Sequence, residues 1–151
     1  MKFSRGFTLI ELLVVIAIIG VLSSVVLASL NTARSKGTDA AIQANLGTVK
    51  TQAQLYYDTN KAYDDATATA LGDCSAGDVA SSLFTDTTMQ NVIAAVNTEN
   101  GAANAVCNST ATAFAIYSPL TTAGVNGWCV DSTGFSGGIA TPLANLDTAC
   151  N

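Results

Sequence analysis

The sequence predicts an α+β fold: a long N-terminal helix whose second half packs against a small antiparallel sheet. Three observations point there. From Phe7 to Leu30 the chain is dominated by Ile, Leu, Val and Ala, with Glu11 its one charge. From Ile42 onward, apolar residues recur at steps of three and four, the period of one helix face. Beyond Asn60 the composition turns to Ala, Thr, Asn and Gly, with short stretches suited to strands.

About 20 apolar residues cross a bilayer as a helix, so the run over 7–30 is long enough. It contains no proline, as suits a helix that must satisfy its backbone internally. Gly20, Ser23 and Ser24 mark a stretch that is locally weak or closely packed by neighbours. The same helix continues as an amphipathic half over 31–59. Its stripe is Ile42, Leu46, Val49, Ala53 and Tyr56 or Tyr57, flanked by Thr, Gln, Asn and Asp. Asn60 opens a polar loop with Lys61, Asp64 and Asp65. The whole helix is then roughly fifty residues and about 75 Å long at 1.5 Å per residue. One 151-residue chain cannot bury it. Its first half is expected to meet lipid or other copies of itself.

Residues 60–151 are expected to form a globular domain. A second helix is predicted from Met89 to Thr98, with Met89, Val92, Ile93 and Val96 as its apolar stripe. Thr87 and Gln90 have the spacing of a capping box, and Gly101 is placed to end the helix. Thr112–Ser118 and Gly127–Asp131 are predicted strands, joined by a loop with Pro119 and Gly124. Phe114, Tyr117 and Trp128 are expected to pack in or beside the core rather than form a binding platform. The Gly-, Ser- and Thr-rich tail from Ser132 is predicted as loop with at most one short strand.

A length of 151 residues allows one domain and hardly two. Charged residues are only 11% of the chain, against about 25% in an average domain. The net charge is −5, or −7 without Lys2 and Arg5. The remaining cations are Arg34, Lys36, Lys50 and Lys61, and nothing basic follows them. A distal half without Lys or Arg has no means of neutralising phosphates, which argues against a direct nucleic-acid site.

The four cysteines, Cys74, Cys107, Cys129 and Cys150, contain no C-x-x-C pair, so a zinc site is disfavoured. An even number behind an export segment points to two disulfides in an oxidising compartment. Of the three connectivities, Cys74–Cys107 with Cys129–Cys150 is preferred because both loops are modest.

The start of the chain is the most informative part. Lys2 and Arg5 precede Gly6, Phe7 opens the apolar run, and Glu11 lies within it. Basic residues at that end favour keeping it cytoplasmic. A secretory signal peptide would explain the basic start, but the run exceeds an ordinary h-region and holds a carboxylate. A plain anchor leaves Glu11 without a purpose. The stretch GFTLIELLVVIAIIGVL, Gly6 to Leu22, closely resembles the N-terminal signature of type IV prepilins and of the pseudopilins of type II secretion.

That resemblance implies a pilin fold and a division into a cleaved leader, 1–6, a membrane and filament-core helix, 7–30, its amphipathic half, 31–59, and a C-terminal pilin domain, 60–151. It implies cleavage between Gly6 and Phe7 by a prepilin peptidase, with methylation of the new Phe7 amine. It implies a homo-oligomeric helical filament, driven by an inner-membrane assembly platform and an ATPase in other proteins. The precursor would be a single-pass inner-membrane protein with its C-terminal domain outside, and the assembled form an extracellular pilus. Glu11 is then the subunit-register residue. A lone carboxylate in hydrocarbon must find a partner or a proton. The Phe7 amine supplies one, either one turn away in the same helix or, as the family resemblance favours, in the neighbouring subunit. Many pilins carry a proline further along this helix. Ala28 occupies that stretch here, so any unwinding is expected at Gly20–Ser24.

Two other functions fit less of the sequence: a secretion pseudopilin, and a membrane-anchored adhesive domain that does not polymerise. Catalysis has little support, because the chain lacks histidine and its cysteines are expected to be oxidised. No cofactor is expected, and no metal. Asp58, Asp64, Asp65, Asp73 and Asp78 are taken as solvated loop charges. Asp131 and Asp147 are oxygen donors that some pseudopilins would use for calcium, but no dense Asp/Asn loop surrounds them. Asn108-Ser109-Thr110 matches an N-glycosylation sequon.

Overall fold

The computed structural model describes residues 6–64, 69–71, 74, 82–101, 105–122, 126–144 and 147–150. The chain divides into two compact units, Met1–Arg34 and Ser35–Asn151. Lys2, Arg5, Asp65, Asp73, Asp78 and Gly124 lie outside the described residues. The helix α1, Leu9–Asn60, runs through both units.

In the first unit every described residue up to Arg34 is exposed. Leu9 is 78% exposed, Val21 67% and Leu30 61%. Among the described residues, α1 is the one helix long and apolar enough to cross a membrane.

In the second unit α1 buries Asp39, Ile42, Leu46, Val49 and Ala53. The four apolar residues are the core of the stripe expected from the sequence, and Tyr56 and Tyr57 pack at its edge. Asn60 ends the helix. Its side-chain amide donates to the Tyr56 carbonyl, and the Lys61 amide donates to that of Tyr57. Lys61 has φ +61, the left-handed conformation that closes many helices.

After α1 come β1 (Thr69–Leu71), a 3₁₀ turn (Leu83–Thr85), α2 (Thr87–Glu99), β2 (Val106–Ser109), β3 (Phe114–Pro119), β4 (Gly127–Asp131) and β5 (Ser136–Ile139). The N-cap of α2 is Asp86, whose side chain accepts from the amides of Thr88 and Met89. This corrects the expected capping box. Thr87 is already helical, and the Gln90 side chain donates to the carbonyls of Phe84 and Cys74. Gly101, at φ +77, follows the C-cap Asn100 and stops the helix as expected.

The described strands form one antiparallel sheet in the order β1-β2-β3-β4-β5. β4 has the predicted bounds; β3 starts two residues later than predicted and takes in Pro119, which was expected in the loop and pairs instead with Gly127. β1 and β2 were not anticipated, since three- and four-residue strands leave little periodicity to read. Alternation along β3 sends Phe114 and Ile116 to one face and Ala115 and Tyr117 to the other. On the first face they join the α1 stripe, Leu83, Phe84, Met89, Ile93 and Val130. Phe114 packs edge-on against Tyr63, with ring centroids 4.9 Å apart. On the second face Tyr117 and Cys129 pack with Cys150, Ile139 and Leu143 of the tail.

The disulfides divide between the faces. Cys74–Cys107 lies in the helix-side cluster, and Cys129–Cys150 ties the tail to the opposite face. The tail is also held by polar contacts. The Asn108 side chain donates to the carbonyls of Ala144 and Asp147 at 2.9 Å. The Asp131 carboxylate accepts from the Cys150 amide at 2.9 Å.

Asp64 is a further correction. It is 3% exposed rather than solvated, and accepts from the Ser109 hydroxyl at 2.8 Å. That hydroxyl also meets the hydroxyl of buried Ser82, so the network joins the end of α1 to β2 and the 3₁₀ turn.

Candidate functional site

The residues singled out for processing and assembly, Gly6, Phe7 and Glu11, fall within six positions at the start of the first unit. Their local geometry is a capping box. Thr8 precedes the first helical residue, Leu9. The Glu11 amide donates to the Thr8 hydroxyl at 3.2 Å. In return, Glu11 Oε2 accepts from the Thr8 amide at 2.8 Å and from the Thr8 hydroxyl at 2.7 Å. Each end of the box satisfies a donor that the first turn of a helix otherwise leaves without a partner. The first α1 bond follows, from the Leu12 amide to the Thr8 carbonyl at 3.3 Å.

Thr8 is therefore a site residue that sequence reasoning missed. The signal was available: Thr8-Leu9-Ile10-Glu11 is the Ser/Thr-x-x-Glu pattern of such a box. Phe7 and Leu12 flank it at the spacing of a hydrophobic staple. Phe7 is 81% exposed, and a Cβ placed on Gly6 would meet nothing within 4 Å. The fold of this chain does not itself require a glycine at position 6.

Further along, the Ser24 hydroxyl donates to the Val21 carbonyl and the Thr32 hydroxyl to that of Ala28. These bonds satisfy hydroxyls that hydrocarbon would otherwise penalise. The helix is continuous through Gly20–Ser24.

The other candidates lie in the second unit. All four cysteines are in disulfides, with Sγ–Sγ distances of 1.99 Å for Cys74–Cys107 and 1.96 Å for Cys129–Cys150. Asp131 and Asp147 are each engaged by donors of their own surroundings. The Asp131 carboxylate accepts from the Thr133 amide and hydroxyl and from the Phe135 and Cys150 amides. Asp147 accepts from the Ala144 amide within its own turn. The sequon asparagine is in the core of the second unit. Asn108 is 1% exposed, and its amide nitrogen, the atom that would carry a glycan, is committed to the tail carbonyls.

Burial and hydrogen bonding set the protonation of the second unit. At Asp131, burial raises the carboxyl pKa. The Cys150 amide, the Thr133 hydroxyl and the amides of Phe135 and Thr133 outweigh it, and the group sits below its ordinary value. Asp39 has the same balance: burial raises it, and donors from Thr122 and Thr121 lower it further. Burial raises the Tyr117 phenol.

The exposed apolar helix with one capped carboxylate at its start gives the chain an α+β, pilin-like fold. Its amphipathic continuation packs on a disulfide-stapled sheet, as in the α+β pilin plan. Residues 1–27 match the family described as the prokaryotic N-terminal methylation motif. Over 63 residues the chain is 40% identical to the Type IV wide pilus major component PilA4 of Thermus thermophilus. That alignment covers 42% of this chain and 48% of the relative, so the chain spans about half the length of the curated relative it matches. No solved structure matches. The motif and the relative together support the type IV pilin family for this chain.

Proposed function

We propose that the protein is a structural subunit of a type IV pilus-like extracellular filament. A prepilin peptidase removes residues 1–6, cutting between Gly6 and Phe7, and the new Phe7 amine is methylated. The mature chain waits in the inner membrane as a single-pass protein and polymerises through residues 7–30 into a homo-oligomeric filament. An assembly platform and an ATPase in other proteins supply the work.

The observation that carries this reading is the first unit: side chains from Phe7 to Leu30 are exposed, and Glu11 is the one charge among them. Apolar area on this scale is stable only in lipid or against other helices. Both environments penalise an unmatched charge, so the Glu11 carboxylate fixes the register at which a neighbour's Phe7 amine docks. Apolar helix packing then provides the cohesion.

Mass spectrometry of the mature protein should find the N-terminus at Phe7 carrying one methyl group; an intact Met1 rules out processing. Glu11→Ala should leave the protein in the membrane but remove it from sheared surface fibres. Normal fibre yield from that variant would overturn the register role.

A further inference from the structure

Independently of that reading, we propose that Asn126 is a self-modification site. The Asn126–Gly127 step closes to a succinimide, loses ammonia and takes up water, and the acid it leaves behind releases the tail at Ala140.

Asparagine precedes glycine twice in the chain, at Asn100–Gly101 and Asn126–Gly127. The chemistry open to both is the same. The glycine amide nitrogen loses its proton and bonds to Cγ of the asparagine side chain. The Cγ–Nδ2 bond breaks, and Nδ2 leaves as ammonia. Water then opens the ring at either carbonyl, giving aspartate or its isomer with the main chain routed through Cγ. Glycine favours the attack because no Cβ crowds its nitrogen.

The fold separates the two sites. Asn100 is 9% exposed and caps α2. Its main-chain amide donates to the Val96 carbonyl at 3.0 Å, and its Nδ2 donates to the Ser118 hydroxyl at 3.0 Å. Ring closure there requires the end of α2 to open first. Asn126 is exposed and stands just before β4, in neither helix nor strand. The Tyr117 ring holds position 127 to glycine, since any Cβ would fall within it. One bond carries the consequence. Asn126 Nδ2 donates to the Ala140 carbonyl. An aspartate at neutral pH only accepts, so the product sets a carboxylate oxygen against a carbonyl oxygen where a donor stood. Ala140 follows β5 and leads to Leu143, which packs on the second face of the sheet. The Cys129–Cys150 bridge keeps the far end of the tail in place, so the release is local.

The test ages the full-length protein in detergent at mildly alkaline pH, digests it in acid and reads each asparagine by mass spectrometry. Asn126 should convert to a mixture of aspartate and isoaspartate, and Asn100 should convert about tenfold more slowly or less, because it reacts only from an opened state. Asn126→Gln, whose ring needs one more carbon, should keep its amide. Hydrogen exchange at the Ala140 and Thr141 amides reads the release. It should be faster in the aged native protein and in fresh Asn126→Asp than in the fresh native protein, while aged Asn126→Gln should exchange no faster than the same variant fresh. The proposal is overturned if Asn126 keeps its amide on ageing, if Asn100 converts at the same rate, or if Asn126→Asp exchanges at Ala140 and Thr141 as the fresh native protein does.

Discussion

Asp39 couples α1 to the loop that follows β3. Its carboxylate accepts from the Thr121 amide at 2.7 Å, the Thr121 hydroxyl at 2.8 Å and the Thr122 amide at 3.1 Å. Replacing it with alanine strands these donors in a site where Asp39 is 7% exposed. Asp39→Ala should cost about 1–3 kcal/mol, the usual penalty for leaving buried partners unpaired. Urea unfolding of the detergent-solubilised protein, followed by tryptophan fluorescence, checks this. Gly127 gives a steric counterpart. A Cβ there would fall within the Tyr117 ring, whose hydroxyl is anchored to the Asn126 carbonyl at 2.8 Å. Gly127→Ala should therefore destabilise by about 1–3 kcal/mol through overpacking. Gly47→Ala, on the exposed side of α1 with nothing within 4 Å, should be neutral or stabilise by up to about 1 kcal/mol. The same unfolding series compares them, and equal effects at the two sites would refute the collision.

Elements show where local signals pointed to the wrong residue. The start of α2 is fixed by Asp86, because its carboxylate reaches two orphan amides while Thr87 is already inside the helix. Asp86→Ala should cost about 0.5–2 kcal/mol. Thr87→Ala, at an exposed position, should stay within about 0.5 kcal/mol. A larger loss from the threonine change would restore the box expected from the sequence. The disulfides close loops with sequence separations of 33 and 21 residues. Chain-entropy arguments give each about 3–4 kcal/mol against the reduced unfolded chain. Replacing either pair with serine should lower the melting temperature of the second unit, with the two losses close in size. Calorimetry of the two variants measures it.

For the whole molecule, pH acts on the second unit through its buried carboxylates. Asp39 and Asp131 both have pKa values lowered in the fold. Their unfolded values lie near 3.9, so at acid pH the unfolded chain binds more protons. The stabilisation is complete above that value and is lost as pH falls through the folded values. The melting temperature should be flat from neutral pH to about 5 and fall below about 4. Asp131→Asn should flatten the acid limb, and a limb unchanged by both Asp131→Asn and Asp39→Asn would show that these groups do not govern it. The first unit depends on its surroundings instead. Its exposed apolar side chains require detergent, lipid or other copies for solubility, which separates the two units in any stability measurement.

Much of this protein was legible in local sequence because its strongest signals are local. The apolar run, the stripe from Ile42 to Ala53, the stop at Asn60 and the strand Gly127–Asp131 each follow from a period or a turn residue within one element. The Thr8–Glu11 box is equally local, but a lone carboxylate in an apolar run carries two signals at once, a membrane charge and a helix-start residue. Tertiary structure decided what depends on distant partners. Asp64 looks solvated in sequence, yet Ser109 supplies it a donor, and Asn108 of the sequon gives its amide to the tail carbonyls at Ala144 and Asp147. Asp131 resembles a cation ligand until the chain returns at Cys150 to occupy it. The second covered face of the sheet is of the same kind. A Gly- and Ser-rich tail carries little apolar periodicity; the Cys129–Cys150 bridge, the Asn108 and Asp131 contacts and the packing of Ile139 and Leu143 lay it over Tyr117. Helix periods are written in neighbouring residues; the pairing of a buried polar group with its partner is written only in the folded chain.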